Sequence, residues 1–148
     1  MKERITKNMA RNIYFGGSIF AILLFAGLTV DTVQKIPELT NDKKITKSVA
    51  KGKELWEVNN CVGCHTIMGE GAYYAPELAN AFNRLGASNE HTFKAYLNGW
   101  MEAQPLNSPD RRKMPQFNLT KEQVDNLADF LIWTSEIDDN EWPPNIEG

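Results

Sequence analysis

Cys61-Val62-Gly63-Cys64-His65 decides how the rest of this chain is read. Two cysteines separated by two residues and followed at once by histidine form the attachment signal for a covalent c-type haem. The spacing has a chemical reason. Two thiols on one short turn can each form a thioether to a vinyl group on the same porphyrin edge. The adjoining imidazole is then brought under the plane, where it can ligate iron. These are the only two cysteines, and His91 is the only other histidine, so a four-thiolate site is excluded and a zinc site is short of ligands. A thioredoxin-like dithiol is the alternative. That motif opens a helix after a strand in an α/β domain, and no β-rich run precedes Cys61.

Upstream, residues 13–30 (IYFGGSIFAILLFAGLTV) are eighteen positions without a charge. At ~1.5 Å per residue they make about 27 Å of helix, close to the minimum that crosses a bilayer core. Gly16, Gly17 and Gly27 weaken a helix in water but are tolerated in lipid, where small residues allow close helix approach. A cleaved secretion signal has the same charge order, but its apolar core is usually shorter and no convincing small-x-small site stands before Asp31. A buried helix of a soluble domain conflicts with a stretch that is apolar all round in so short a chain. The expectation is a retained anchor. Residues 1–12 carry Lys2, Arg4, Lys7 and Arg11 against Glu3. This basic flank predicts a cytoplasmic N-terminus and an exported haem domain, periplasmic in a Gram-negative host and so attached to the bacterial inner membrane.

Residues 31–47, with Pro37, Asn41, Asp42 and the lysines Lys43, Lys44 and Lys47, read as an extended polar stalk. Residues 48–135 suffice for one small core, to which covalent haem adds apolar volume. The pattern there is helical, which predicts a mainly α chain: one transmembrane helix followed by a class I-like cytochrome c domain. Ser48 is the expected cap of a helix reaching Asn60. A loop spans 69–76, a short helix 77–85, and a further helix starts at Ser88. Thr120 and Gln123 form a capping box, with Leu119 and Val124 as a hydrophobic staple. Val124, Leu127, Ala128, Leu131 and Ile132 make one apolar stripe, expected to pack on the first helix of the haem domain. Residues 136–148 form an acidic tail. Nothing resembles a phosphate loop or a nucleic-acid motif.

An iron centre confined to electron transfer needs a second axial ligand. Met68, His91, Met101 and Met114 are the candidates. Met68 lies three residues past His65 on the same side of the haem. His91 occupies an ordinarily exposed first helical turn, and Met101 a helix end. Met114 precedes Pro115 in an irregular stretch, where proline blocks helix formation and helps hold a thioether over iron. The sequence therefore points to Met114, opposite His65.

The stretches CVGCHTIMGEGAYYAPELAN (61–80) and RRKMPQFNLTKEQVDNLADFLIW (111–133), the single anchor and the Glu-Trp-Pro-Pro ending together resemble the cytochrome c subunit of bacterial nitric oxide reductase. The similarity runs over essentially the whole chain, and GEGAYYAPEL is much more specific than CxxCH. The resemblance implies a heterodimer with a large multi-helix subunit that contains haem b, haem b3 and non-haem iron and converts 2 NO + 2 e⁻ + 2 H⁺ to N₂O and H₂O. This chain would be non-catalytic, passing electrons inward from a soluble periplasmic cytochrome c or a cupredoxin. Cys61, Cys64, His65 and Met114 match the family's attachment and axial positions. The Gly71–Tyr73 loop would meet the large subunit where the family holds a calcium ion. Two other readings remain open: an anchored cytochrome of another respiratory complex, such as a haem-copper oxidase, and a haem or redox sensor.

Residues 31–148 hold twelve lysines and arginines against eighteen acids, a net charge of −6 that suits a donor with a basic docking face. Arg111, Arg112 and Lys113 nevertheless form a basic cluster beside Met114, readable as solvated surface or as a contact for a partner or a propionate.

Overall fold

The uncharged stretch forms a helix much longer than itself. In the computed structural model, which describes residues 5–85, 89–106 and 113–139, helix α1 runs over Lys7–Leu39. None of its side chains is buried, and its most apolar window has a mean hydropathy of 2.1. Its 33 residues span about 50 Å, against a hydrocarbon core of about 30 Å. The helix is thus long and apolar enough to cross a membrane, and an apolar surface all round suits lipid or partner helices better than water.

The extended stalk expected from residue 31 is corrected: residues 31–39 continue α1. Asp31 and Lys35 pair at 2.9 Å across one turn, and the Thr32 hydroxyl donates to Leu28 O at 2.9 Å. Pro37 lies in the final turn, so the helix loses little of its ladder before it ends two residues later. Residues 40–44 are not a free tether either. Trp133 Nε1 donates to Thr40 O at 3.0 Å, Asn41 Nδ2 to Glu136 O at 2.6 Å, and Lys44 pairs with Glu136 at 2.9 Å. The second compact unit accordingly begins at Leu39.

That unit is built from helices α2 (Lys47–Val58), α3 (Ala81–Arg84), α4 (Glu90–Glu102) and α5 (Lys121–Thr134). The expected capping box is present: Thr120 accepts from Gln123 N–H, and Gln123 Oε1 accepts from Thr120 N–H. All five residues of the predicted stripe on α5 are buried, with Phe130 beside them. They pack on α2 as anticipated, and Gly52 is why the two helices can cross closely. A Cβ there would stand 2.1 Å from Asn126 O and 2.6 Å from Phe130 Cβ. Asp129 then joins three helices, receiving Ser48 Oγ from α2 at 2.6 Å and Lys94 Nζ from α4 at 2.5 Å.

Ser48 is therefore a tie between helices rather than a cap. Thr46 caps α2 instead, accepting from Val49 N–H at 3.2 Å. The next cap expected, Ser88, lies outside the described residues, and Asn89 accepts from Thr92 N–H at the head of α4. The short helix is confined to Ala81–Arg84. A minimal antiparallel hairpin adds to the expected elements: β1 (Thr66–Ile67) pairs with β2 (Glu70–Gly71). Met68 and Gly69 both have positive φ, at 52° and 80°, the signature of a two-residue hairpin turn.

Candidate haem site

The chain leaves α2 through Asn60, whose left-handed φ of 53° turns it into one 3-10 turn over Cys61–Gly63. Cys64 N–H and His65 N–H both bond back to Cys61 O, at 3.0 and 2.9 Å. This wraps the two cysteines and the histidine around a single turn. Cys61 is half-buried and Cys64 exposed, and no disulfide joins them. Burial pushes the Cys61 thiol up to about 11. Among the described residues, no group of three His, Cys, Asp or Glu side chains is placed to hold a metal ion.

His65 is oriented from two sides. Its Nδ1 lies 2.8 Å from Pro76 O. A carbonyl can only accept, so Nδ1 carries the proton and the lone pair sits on Nε2, the tautomer an iron ligand requires. The imidazole also lies against Trp56, ring centres 6.2 Å apart, and Trp56 continues to Phe130 at 6.2 Å in the core. The donor set and this tautomer fit a covalently attached haem ligated through His65 Nε2.

The loop that supplies Pro76 is laced along the attachment turn. Ala72 N–H donates to Val62 O at 3.0 Å, Ala75 N–H to Cys64 O at 2.9 Å, and Leu78 N–H to Thr66 O at 2.9 Å. Gly71 makes that approach possible. Its φ is +127°, and a Cβ would lie 2.3 Å from His65 O. Tyr73, two residues on, is 73% exposed, with its hydroxyl 3.3 Å from Gly69 O.

The candidate axial residues lie in different surroundings. Met101 is buried in the hydrophobic core with Phe93 and Leu97. His91 is exposed on the first turn of α4. Met68 occupies the hairpin turn, its N–H donating to Glu77. Met114 lies half-buried in the irregular segment before α5, against the same apolar cluster that Cys61 and Val62 touch. Lys113 is exposed, whereas Arg111 and Arg112 lie outside the described residues, as does the tail from residue 140.

Two residues of this site escape sequence reasoning. Pro76 reads in sequence only as the end of a loop, and Glu77 as the first residue of a helix. Glu77 is buried, an unusual place for an acid. The signal available is the Pro-Glu-Leu run itself, a charge set between a proline and apolar residues.

The sequence is also similar to known proteins. Residues 49–135 match the family described as Cytochrome c. Over the full length of both chains, the sequence is 61% identical to the nitric oxide reductase C subunit of Stutzerimonas stutzeri. The identity is 47% to the same protein of Paracoccus denitrificans and 47% to that of Halomonas halodenitrificans, again over the full length of each chain. With a cytochrome c domain behind one long apolar helix and full-length identity of this order, the chain belongs to the family of nitric oxide reductase C subunits.

Proposed function

We propose that this chain is the electron-entry subunit of a cytochrome c-dependent nitric oxide reductase. Family membership gives an electron-transfer cytochrome subunit. The observation that carries the finer reading is the 2.8 Å contact between His65 Nδ1 and Pro76 O beside the CVGCH turn. Cys61 and Cys64 would hold one haem c through two thioethers, and His65 and Met114 would ligate its iron. When bound, that haem supplies a one-electron Fe(III)/Fe(II) couple. The residues bind, orient and shield it: Trp56 backs His65, Pro76 fixes its tautomer, and Pro115 restrains the segment of Met114. With His65 and Met114 both engaged on the iron, no coordination site would remain for NO, and the chain itself would be non-catalytic.

The partner is the large multi-helix subunit that holds haem b, haem b3 and non-haem iron, where 2 NO + 2 e⁻ + 2 H⁺ become N₂O and H₂O. The 69–76 loop faces it, with Gly71 and Tyr73 close to a calcium ion at the interface. The exposure of Tyr73 and Tyr74 supports this placement. Helix α1 is the anchor in the bacterial inner membrane. The basic N-terminal flank favours a cytoplasmic start and a periplasmic haem domain, facing a soluble cytochrome c or cupredoxin donor.

The test is purification of the complex through this chain. One haem should resist acidified acetone, b-type haem and non-haem iron should copurify, and NO should reoxidise the reduced c-type haem. Complete extraction of haem, or copurification of a copper-containing oxidase instead, would overturn the proposal.

A further inference from the structure

Glu77 is the one buried acid among the described residues, only 4% exposed, and it directly follows the proline whose carbonyl meets His65. Burying a carboxyl group is costly unless its oxygens are satisfied. One oxygen is: Oε1 accepts from Met68 N–H and from Ala79 N–H, each at 2.9 Å. The other, Oε2, is buried with no hydrogen-bond partner among the described residues, as is the hydroxyl of the fully buried Thr66. A fold that only needed to close this loop could do so without an orphaned carboxyl oxygen.

The two amides that Oε1 collects come from different places. Met68 is the first residue of the β1–β2 turn, held at a φ of 52°. Ala79 lies beyond Pro76, on the segment that runs back along the attachment turn. Glu77 therefore staples the hairpin turn to the chain on the far side of Pro76. Backbone bonds from Ala75 to Cys64 and from Leu78 to Thr66 bracket the same short segment. Proline has no N–H of its own to add to this lacing.

We infer that Glu77 is a positioning residue for the haem ligand: by gathering the Met68 and Ala79 amides on one buried oxygen, it holds the Pro76 carbonyl on His65 Nδ1. That hydrogen bond orients the imidazole and raises its basicity, so Glu77 acts on the reduction potential through His65 without touching the haem. The inference rests on His65 being an iron ligand. A stronger Nδ1–H···O bond makes the imidazole a better donor and favours ferric iron. Loosening the staple should therefore raise the potential.

The experiment uses the intact, haem-loaded complex with Glu77→Gln and Glu77→Ala. It reads the midpoint potential of the c-type haem and the g-values of its ferric low-spin electron paramagnetic resonance signal. Gln keeps an oxygen that can accept both amides, so E77Q should match wild type in both readouts. E77A should raise the potential and shift the g-values. The inference is overturned if E77A is less heat-stable but keeps the wild-type potential and g-values, which is loop stabilisation alone. It is also overturned if E77Q shifts both as far as E77A, because the charge rather than the clamp would then matter. Should E77A fail to mature, hydrogen–deuterium exchange of the wild-type complex decides: protected Met68 and Ala79 amides support the clamp, and exchange as fast as that of the exposed Tyr73 amide refutes it. The ligand assignment is checked separately, since a His65→Ala complex that keeps the wild-type low-spin signal would refute it whatever Glu77 does.

Discussion

A Cβ on Gly71 would stand 2.3 Å from the carbonyl oxygen of His65. The contact is with backbone, which cannot swing aside, and the φ of +127° is itself hostile to any side chain. The loop that brings Pro76 to His65 is thus conditional on a missing methyl group. Gly71→Ala should lift the loop from the attachment turn and destabilise the domain by about 1–3 kcal/mol, the usual cost of such backbone strain. Thermal unfolding of the haem-loaded chain, with the yield of covalent haem, measures it. An unchanged melting temperature and full haem loading would contradict the placement.

The α2–α5 crossing gives a second glycine test with a built-in control. Gly52→Ala forces a methyl group into Asn126 O and Phe130, so the helices must separate, at a cost of about 1–3 kcal/mol or more. Gly99, inside α4, has no atom within 4 Å of its Cβ position. Gly99→Ala should be neutral or stabilising by about 0.5–1 kcal/mol, from helix propensity alone. Opposite signs of melting-temperature change in the two variants are the expected result.

How far the residues alone lead is clearest along α5. Its capping box and stripe are readable because one periodicity and one local hydrogen-bond pattern specify them, and both are as expected. The attachment turn is readable because its chemistry demands adjacent residues. The 31–39 segment is not. Its proline and charges have the composition of a linker, but helix propagation from an already formed α1 outweighs local composition. The hairpin is hidden because strands of two residues carry no alternation. Pro76 and Glu77 are hidden for another reason: their partners, His65 and Met68, are eleven and nine residues away, and no spacing rule links them. Met101 and Met114 differ in sequence only by their neighbours, a helix end against Pro115, and their difference in burial is decided by tertiary packing.

Asp125 makes the stability of the α4–α5 contact depend on pH. Its hydrogen bond to Lys121, at 2.6 Å, lowers its pKa below the ordinary carboxylate value; burial opposes this, and the hydrogen bond from Asn98, at 2.8 Å, and the charges of Lys121 and Lys94 reinforce it. A depressed folded value means that the contribution is complete above the unfolded carboxylate pKa, about 4, and is lost as pH falls through the folded one. Asp125→Asn should cost under about 1 kcal/mol at neutral pH, as expected for a partly exposed ion pair. The gap between the variant and wild type should close below about pH 4. Denaturant titrations at neutral pH and in acid check the sign, and a gap that widens in acid would contradict it.

Met114 and Met101 should fail in opposite ways, and that contrast tests the axial assignment. Met101 is 5% exposed in the core, so Met101→Ala should remove about 2–5 kcal/mol of stability through the cavity it leaves. Its ferric spectrum should keep the long-wavelength band characteristic of thioether-ligated haem. Met114 is half-buried in an irregular segment and carries less of the packing. Met114→Ala should cost less stability but abolish that band and lower the reduction potential, because a thioether opposite histidine raises it. His91→Ala, on an exposed helical turn, should change neither quantity. Loss of the band in M101A with M114A unaffected would overturn the assignment. Because ligation and packing are read by separate instruments, spectrum and melting curve, a variant that merely unfolds cannot be mistaken for one that has lost its ligand.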